Sequence, residues 1–231
     1  FMDKYSILKQ YYGHSAFRAG QEALIDAILS GRDALCVMPT GGGKSLCYQI
    51  PALLLPSITL VVSPLISLMK DQIAALKSAG VPAAYINSSL TGEQIRTVYA
   101  RTRKGAYKLI YVAPERLETN SFLSLMQEMD VSFLAVDEAH CISQWGQDFR
   151  PSYLGIVDFI NALPHRPIVA AYTATATKQV QSDILRLLQL QSPYRIVTGF
   201  DRPNLYFDVR RPKNKFSALA ALIDERRGRS G

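Results

Sequence analysis

Two short segments hold most of the chemistry legible in this chain. Met38-Pro39-Thr40-Gly41-Gly42-Gly43-Lys44-Ser45 lies between an apolar run, Ala34 to Met38, and a helical stretch, Lys44 to Leu55. Glycines at 41, 42 and 43 let the backbone turn tightly and bring its N–H groups against phosphate oxygens. Lys44 can neutralise β and γ phosphates, and Ser45 can offer its hydroxyl to a magnesium ion. The second segment, Asp137-Glu138-Ala139-His140, ends the apolar run Val131 to Val136. There Asp137 is placed to hold magnesium through water and Glu138 to polarise an attacking water. Together the segments predict an ATP hydrolysis site with Mg2+, in which Lys44, Asp137, Glu138 and His140 do the chemistry. The bland alternatives are a surface carboxylate for Glu138 and a capping or core histidine for His140. A generic phosphate loop has glycine where this chain has Met38, which argues against a small-molecule kinase.

The elements that must position these residues alternate along the chain. Expected strands cover Ala34–Met38, Ile58–Ser63, Ala83–Ile86, Lys108–Val112, Val131–Val136 and Pro167–Tyr172. Expected helices cover Lys44–Leu55, Ile66–Ser78, Thr91–Lys104, Phe122–Met129 and Thr177–Leu188. Near-continuous apolar strands separated by helices predict an α/β fold, a mainly parallel sheet covered on both faces. Right-handed crossovers put the loops after Met38, Val62, Val112, Val136 and Tyr172 on one edge, so that one surface gathers the unusual residues.

The 231 residues, 48% hydrophobic and 19% charged, are enough for a full core. The apolar runs are strand-sized, so none is expected to span a membrane. A net charge of +7 leans weakly toward a polyanionic partner. Cys36, Cys47 and Cys141 form no CxxC pair or Cys/His cluster, which predicts no structural zinc, no disulfide framework and an intracellular setting. Cys36 and Cys47 are expected to pack in the core.

Further segments resemble the first motor lobe of RecQ-family DNA helicases, a RecA-like P-loop NTPase lobe. Pro39-Thr40-Gly41-Gly42-Gly43-Lys44-Ser45 has the form found in helicase-type ATPases. Phe17-Arg18-Ala19-Gly20-Gln21 is similar to that family's adenine-recognition motif. The resemblance implies that Gln21 reads the adenine edge, Arg18 contacts the nucleotide and His14 sits where a ring stacks on the base. The stretch Val61 to Gln72, with Ser63 and Pro64, resembles a loop that grips one DNA strand, and Tyr111 to Leu117, with Arg116, the next such loop. Tyr172-Thr173-Ala174-Thr175-Ala176, through Thr173 and Thr175, resembles the segment coupling the ATP and DNA sites. Cys141 to Pro151 resembles the aromatic-rich loop particular to RecQ enzymes. It implies that Trp145, Phe149 and Arg150 meet unpaired bases and that Gln144 senses the γ-phosphate. Many relatives have histidine where this chain has Gln147.

The resemblance implies a 3′-to-5′ DNA helicase lobe acting on single-stranded DNA and duplex junctions, in the cytoplasm or nucleoid, or in the nucleus of a eukaryote. It divides the chain into an ATP-binding lobe, 1–208, and a linker with the start of a second lobe, 209–231, whose remainder would complete the motor. Gly199-Phe200-Asp201-Arg202-Pro203-Asn204 leads toward that lobe. Two other readings stand beside it: a nucleic-acid-binding module with a silent nucleotide site, and a DEAD/DEAH-type RNA helicase lobe. Without the resemblance, Trp145 would read as a core corner and Arg150 as a surface ion pair. Tyr5, Tyr11 and Tyr12 read as core or staple residues, His165 as an exposed loop residue, Arg210, Arg211, Lys213 and Lys215 as a solvated face, and Phe216–Arg226 as a helix.

Overall fold

The computed structural model describes residues 2–199 and 208–228. The chain divides into two units, 1–199 and 200–231. The expected boundary at 208/209 lies just past residues 200–207, and Phe200 to Asn204 with its neighbours falls outside the described residues.

In the larger unit seven strands form one sheet: β1 (Ala34–Val37), β2 (Ile58–Val62), β3 (Ala83–Ile86), β4 (Leu109–Val112), β5 (Val131–Val136), β6 (Ile168–Thr173) and β7 (Tyr194–Val197). Their order is β3–β4–β2–β5–β6–β1–β7, and every described pairing is parallel. The expected α/β lobe with a parallel sheet is therefore observed. Alternation along the strands sends side chains to two cores. Leu35, Val37, Leu60, Val62, Leu134 and Val136 belong to one, with Phe122, Tyr153 and Phe159. Cys36, Met38, Val61, Phe133, Ala135 and Tyr172 belong to the other, with Cys47 and Tyr48. Cys36 and Cys47 thus pack as expected. Among the described residues no helix is long and apolar enough to cross a membrane.

The helices are α1 (Lys4–Tyr12), α2 (Gln21–Leu29), α3 (Lys44–Leu54), α4 (Ile66–Ser78), α5 (Gly92–Arg103), α6 (Pro114–Leu117), α7 (Asn120–Glu128), α8 (Gly155–Ala162) and α9 (Lys178–Leu187). α1 lays Ile7 and Leu8 against Ile25 of α2 and Ile50 of α3. Tyr5 departs from its expected core role: it is 48% exposed, its hydroxyl donates to the Glu22 carboxylate, and its ring tilts against Phe17. Tyr11 and Tyr12 do pack against this small core.

Pro51 sits inside α3 and lacks the N–H that would bond the Cys47 carbonyl four residues back. The buried Tyr172 hydroxyl, reaching across from β6, donates to that carbonyl at 3.2 Å. A defect in the phosphate-loop helix is thus mended from the strand next to the loop's own. At the opposite edge of the sheet, buried Asp33 accepts from the Arg166 guanidinium at 3.1 and 2.6 Å. It also accepts from the backbone N–H groups of Val169 at 2.9 Å and Gln191 at 2.7 Å. This carboxylate ties the strand beginnings together, far from the loops that carry chemistry.

In the smaller unit, α10 (Lys215–Glu225) starts at Asn214, whose side chain accepts from the Ser217 N–H, close to the expected 216–226. Lys213, Lys215 and Arg211 are exposed as expected, and Arg210 pairs with Asp208. His165 is likewise exposed.

Candidate active site

The loop between β1 and α3 is shaped by its glycines. Gly41 and Gly43 have φ of 80° and 84°, a region that side-chain-bearing residues disfavour. A Cβ on Gly43 would lie 2.3 Å from the Gln21 amide, and one on Gly42 would lie 2.5 Å from Met38 Cγ. Met38, the departure from the generic pattern, is therefore the buried floor under Gly42. Lys44 Nζ donates to Met38 O at 3.1 Å, so its ammonium is held along the loop it serves. Buried Gln21 accepts from Arg18 N at 2.8 Å and donates to Gly42 O and Gly43 O at 3.1 and 3.2 Å. The Arg18 guanidinium donates to Gly41 O. Both residues of the expected adenine motif thus grip the phosphate loop.

Asp137 ends β5 on the same edge. Its Oδ1 accepts from Glu138 N at 3.0 Å, and its backbone O accepts from the buried Tyr153 hydroxyl at 2.8 Å. Burial, and then the charge of Glu138, push its carboxyl up to about 6. Among the described residues no cation is in ion-pair contact with it. No group of three or more acidic, histidine or cysteine side chains there forms a metal cage. A buried carboxylate with no ion-pair partner among the described residues, lining the same cleft as Ser45, suits a hard cation whose other positions are filled by phosphate oxygens and water. Ser45, Asp137 and Glu138 line one cleft of about 400 Å³ with His14, Arg18, Gln21, Thr40, Gly41, Gly43 and Lys44. Ala16, Leu46, Leu68 and Gln72 complete its wall.

Glu138 adopts φ 47° and ψ 43°, the left-handed region, at a cost of order 1 kcal/mol for a non-glycine residue. Its carboxylate lies 3.3 Å from His140 Nδ1, which is also 2.9 Å from Thr173 Oγ1. The Thr173 hydroxyl spends its one hydrogen on Thr175 O at 3.0 Å. Satisfying this network requires the proton on Nδ1, donated toward Thr173. The expected coupling segment therefore touches the hydrolysis segment through His140, while Thr175 itself is exposed.

Beyond His140 the chain forms the aromatic-rich loop. Trp145 is 75% exposed, which overturns the core-corner alternative. A Cβ on Gly146 would lie 2.3 Å from His140 O, so the turn needs glycine. Gln144, Trp145 and Phe149 line a separate groove of about 410 Å³ against α9, with Asp183 and Arg186. Gln144 is not among the residues lining the phosphate cleft. Arg150 pairs with Asp148 and donates to Pro64 O at 3.2 Å, which joins this loop to the one after β2. Ser63 is buried with no hydrogen-bond partner for its hydroxyl among the described residues, and Arg116 reaches Asn87 O at 3.5 Å. The structure thus gathers the expected nucleotide residues, Gly42 apart, into one cleft and spreads the expected DNA contacts over three loops on the same sheet edge.

Two contributors were not singled out from sequence. Gln72 lines the cleft and accepts from Gln49 at 2.9 Å. Asp183 is buried on α9. A usable signal existed for the second, a carboxylate within the apolar stripe Val180, Asp183, Ile184 and Leu187.

Residues 18–183 match the DEAD/DEAH box helicase family. The chain is 47% identical over 227 residues to the ATP-dependent DNA helicase RecQ of Bacillus subtilis, covering 98% of this chain and 38% of that protein. It is 43% identical over 209 residues to the bifunctional 3′-5′ exonuclease/ATP-dependent helicase WRN of Mus musculus, covering 88% of this chain and 14% of that protein. Among solved structures, the helicase MrfA bound to DNA aligns with TM-score 0.68 and 14% identity, covering 85% of this chain and 29% of that one. The Pyrococcus furiosus Hef helicase domain aligns with TM-score 0.60 and 21% identity, covering 78% and 38%. These structures share the fold, and the chain spans well under half the length of the RecQ relative. With the phosphate loop, the Asp137–His140 segment and the exposed aromatic loop on one sheet edge, the chain belongs to the DEAD/DEAH box helicase family and is a first motor lobe of the RecQ kind.

Proposed function

We propose that this lobe binds ATP with Mg2+ and couples its hydrolysis to 3′-to-5′ movement on single-stranded DNA and to unwinding at duplex junctions. One observation carries the reading. Glu138 and Trp145 belong to one short segment whose middle, His140, is bonded to Thr173. A change at the hydrolysis carboxylate is thus felt within a few residues by an exposed ring suited to stacking on bases.

In this mechanism Lys44 leaves Met38 O to meet the β and γ phosphates, while the Gly41–Gly43 amides and the start of α3 cradle them. Ser45 and Asp137 would hold Mg2+, which supplies charge neutralisation at the phosphates. Glu138 takes the proton of the attacking water, with the His140 ring, held by Thr173, packed beside its carboxylate. His14, Arg18 and Gln21 line the base end of the cleft. In motors of this type a second lobe contributes an arginine worth about 10³ to 10⁵ in rate. Alone, the chain is therefore expected to bind nucleotide and unwind little. A silent nucleotide site is disfavoured because Lys44, Ser45, Asp137 and Glu138 all line one cleft. The likeness of the aromatic loop to that of RecQ enzymes, and the similarity of the chain to ATP-dependent DNA helicases, support DNA over RNA.

The test joins this lobe to a second lobe and measures ATP turnover with single-stranded DNA, with single-stranded RNA and without either. DNA should stimulate turnover, and Glu138→Gln should lower it by roughly 10² to 10⁴ while nucleotide still binds. Stimulation by RNA but not by DNA would replace this reading with the RNA helicase one.

A further inference from the structure

The aromatic loop is fastened at its entrance, its turn and its exit, while the Trp145 ring between them projects into solvent. At its exit, Arg150 N donates to Cys141 O at 2.9 Å and the guanidinium reaches Pro64 O. At its entrance stands Ser143, fully buried, whose single hydroxyl makes two bonds. It donates to Asp183 Oδ2 at 2.7 Å and accepts from the Trp145 backbone N–H at 3.2 Å. The direction is forced, because a carboxylate only accepts and a backbone N–H only donates. Asp183 thus fixes the hydroxyl hydrogen and thereby aims a lone pair at the amide that carries the tryptophan. Arg186 holds the other carboxylate oxygen at 3.0 Å. The Ser143 hydroxyl, and then Arg186, hold the Asp183 carboxyl below the usual range, so it stays ionised as the acceptor. α9 is capped by Thr177, so the helix that holds Asp183 starts a few residues past Thr173, the partner of His140 at the end of β6.

We infer that Asp183 is a positioning residue for Trp145: through the Ser143 hydroxyl it fixes the first turn of the aromatic loop to α9 in the arrangement that meets DNA. The DNA half of this rests on the function proposed above; the fixing of the ring does not.

Trp145 is the only tryptophan in the chain, so its emission reports the loop without a label. The experiment is time-resolved fluorescence anisotropy of the 231-residue chain without DNA, followed by titration with oligo(dT). Circular dichroism melts are run on every variant. Asp183→Ala should raise the amplitude of nanosecond ring motion roughly twofold. Asp183→Asn, which keeps an acceptor oxygen, should recover most of the wild-type signal, and Ser143→Ala should match Asp183→Ala, the double variant adding nothing. Arg186→Ala should leave the ring unchanged. In the titration Asp183→Ala should bind oligo(dT) roughly fivefold more weakly, the scale of one lost hydrogen bond.

A folded Asp183→Ala with wild-type anisotropy, or with wild-type affinity for oligo(dT), overturns the inference. If Asp183→Ala does not fold, Ser143→Ala decides in its place on the same criteria. A wild-type chain whose Trp145 ignores oligo(dT) would sink the proposed DNA reading together with the DNA half of the inference, while the anisotropy series would still judge the ring.

Discussion

The phosphate cleft and the aromatic loop lie on one sheet edge but are built on opposite plans. In the cleft the expected groups are held by their surroundings: Lys44 by Met38 O, Gln21 by Gly42 O and Gly43 O, the Glu138 N–H by Asp137 Oδ1, and His140 by Thr173. In the loop the backbone is tied at Ser143, Gly146 and Arg150, but the residue expected to meet DNA projects into solvent. The difference follows from the ligands. A triphosphate has one shape, and positioning its reacting atoms rewards a fixed cradle. Single-stranded DNA presents a succession of bases, and stacking on an exposed ring tolerates them all.

The two plans can be separated by substitution. Lys44→Ala should weaken nucleotide binding by about 2–5 kcal/mol, with oligo(dT) binding unchanged, as read by titration calorimetry for both ligands. A parallel loss of DNA affinity would mean the cleft and the loop are one site rather than two. Trp145→Ala should do the reverse: oligo(dT) affinity falls by about 1–3 kcal/mol, and nucleotide affinity holds. Should nucleotide binding fall with it, the loop would be part of the cradle. The smallest effect probes the frame beneath both. Tyr172→Phe strands the Cys47 carbonyl that Pro51 cannot serve, and should lower thermal stability by about 1 kcal/mol with both affinities intact. A shift in nucleotide affinity would show that α3 transmits strain to the phosphate loop.

The parts of this design that depend on residue type and short spacing were legible in the sequence. β3, β5 and α4 were expected with the bounds observed, because apolar runs or clear periodicity are local signals. α8 was passed over: Ile156, Val157, Phe159 and Ile160 crowd together between prolines, a run that periodicity cannot assign. α1 fully buries just Ile7 and Leu8, and β7 owes its existence to β1, some 160 residues earlier in the chain. The site divides in the same way. The phosphate loop and Asp137–Glu138 were readable, but the grip of Gln21 on the glycines and of Asp183 on Ser143 arises only when distant segments close. Tyr5 was misjudged because helical spacing says which residues share a face, not whether a neighbour such as Glu22 draws that face to water.

The backbone at Glu138 has a consequence for anyone evolving this protein. Its left-handed conformation is one that glycine or asparagine would occupy at lower cost. A library screened for heat resistance alone would therefore enrich replacements at position 138. On the mechanism proposed above, the winners would be stable proteins without turnover, so turnover has to be part of the screen from its first round.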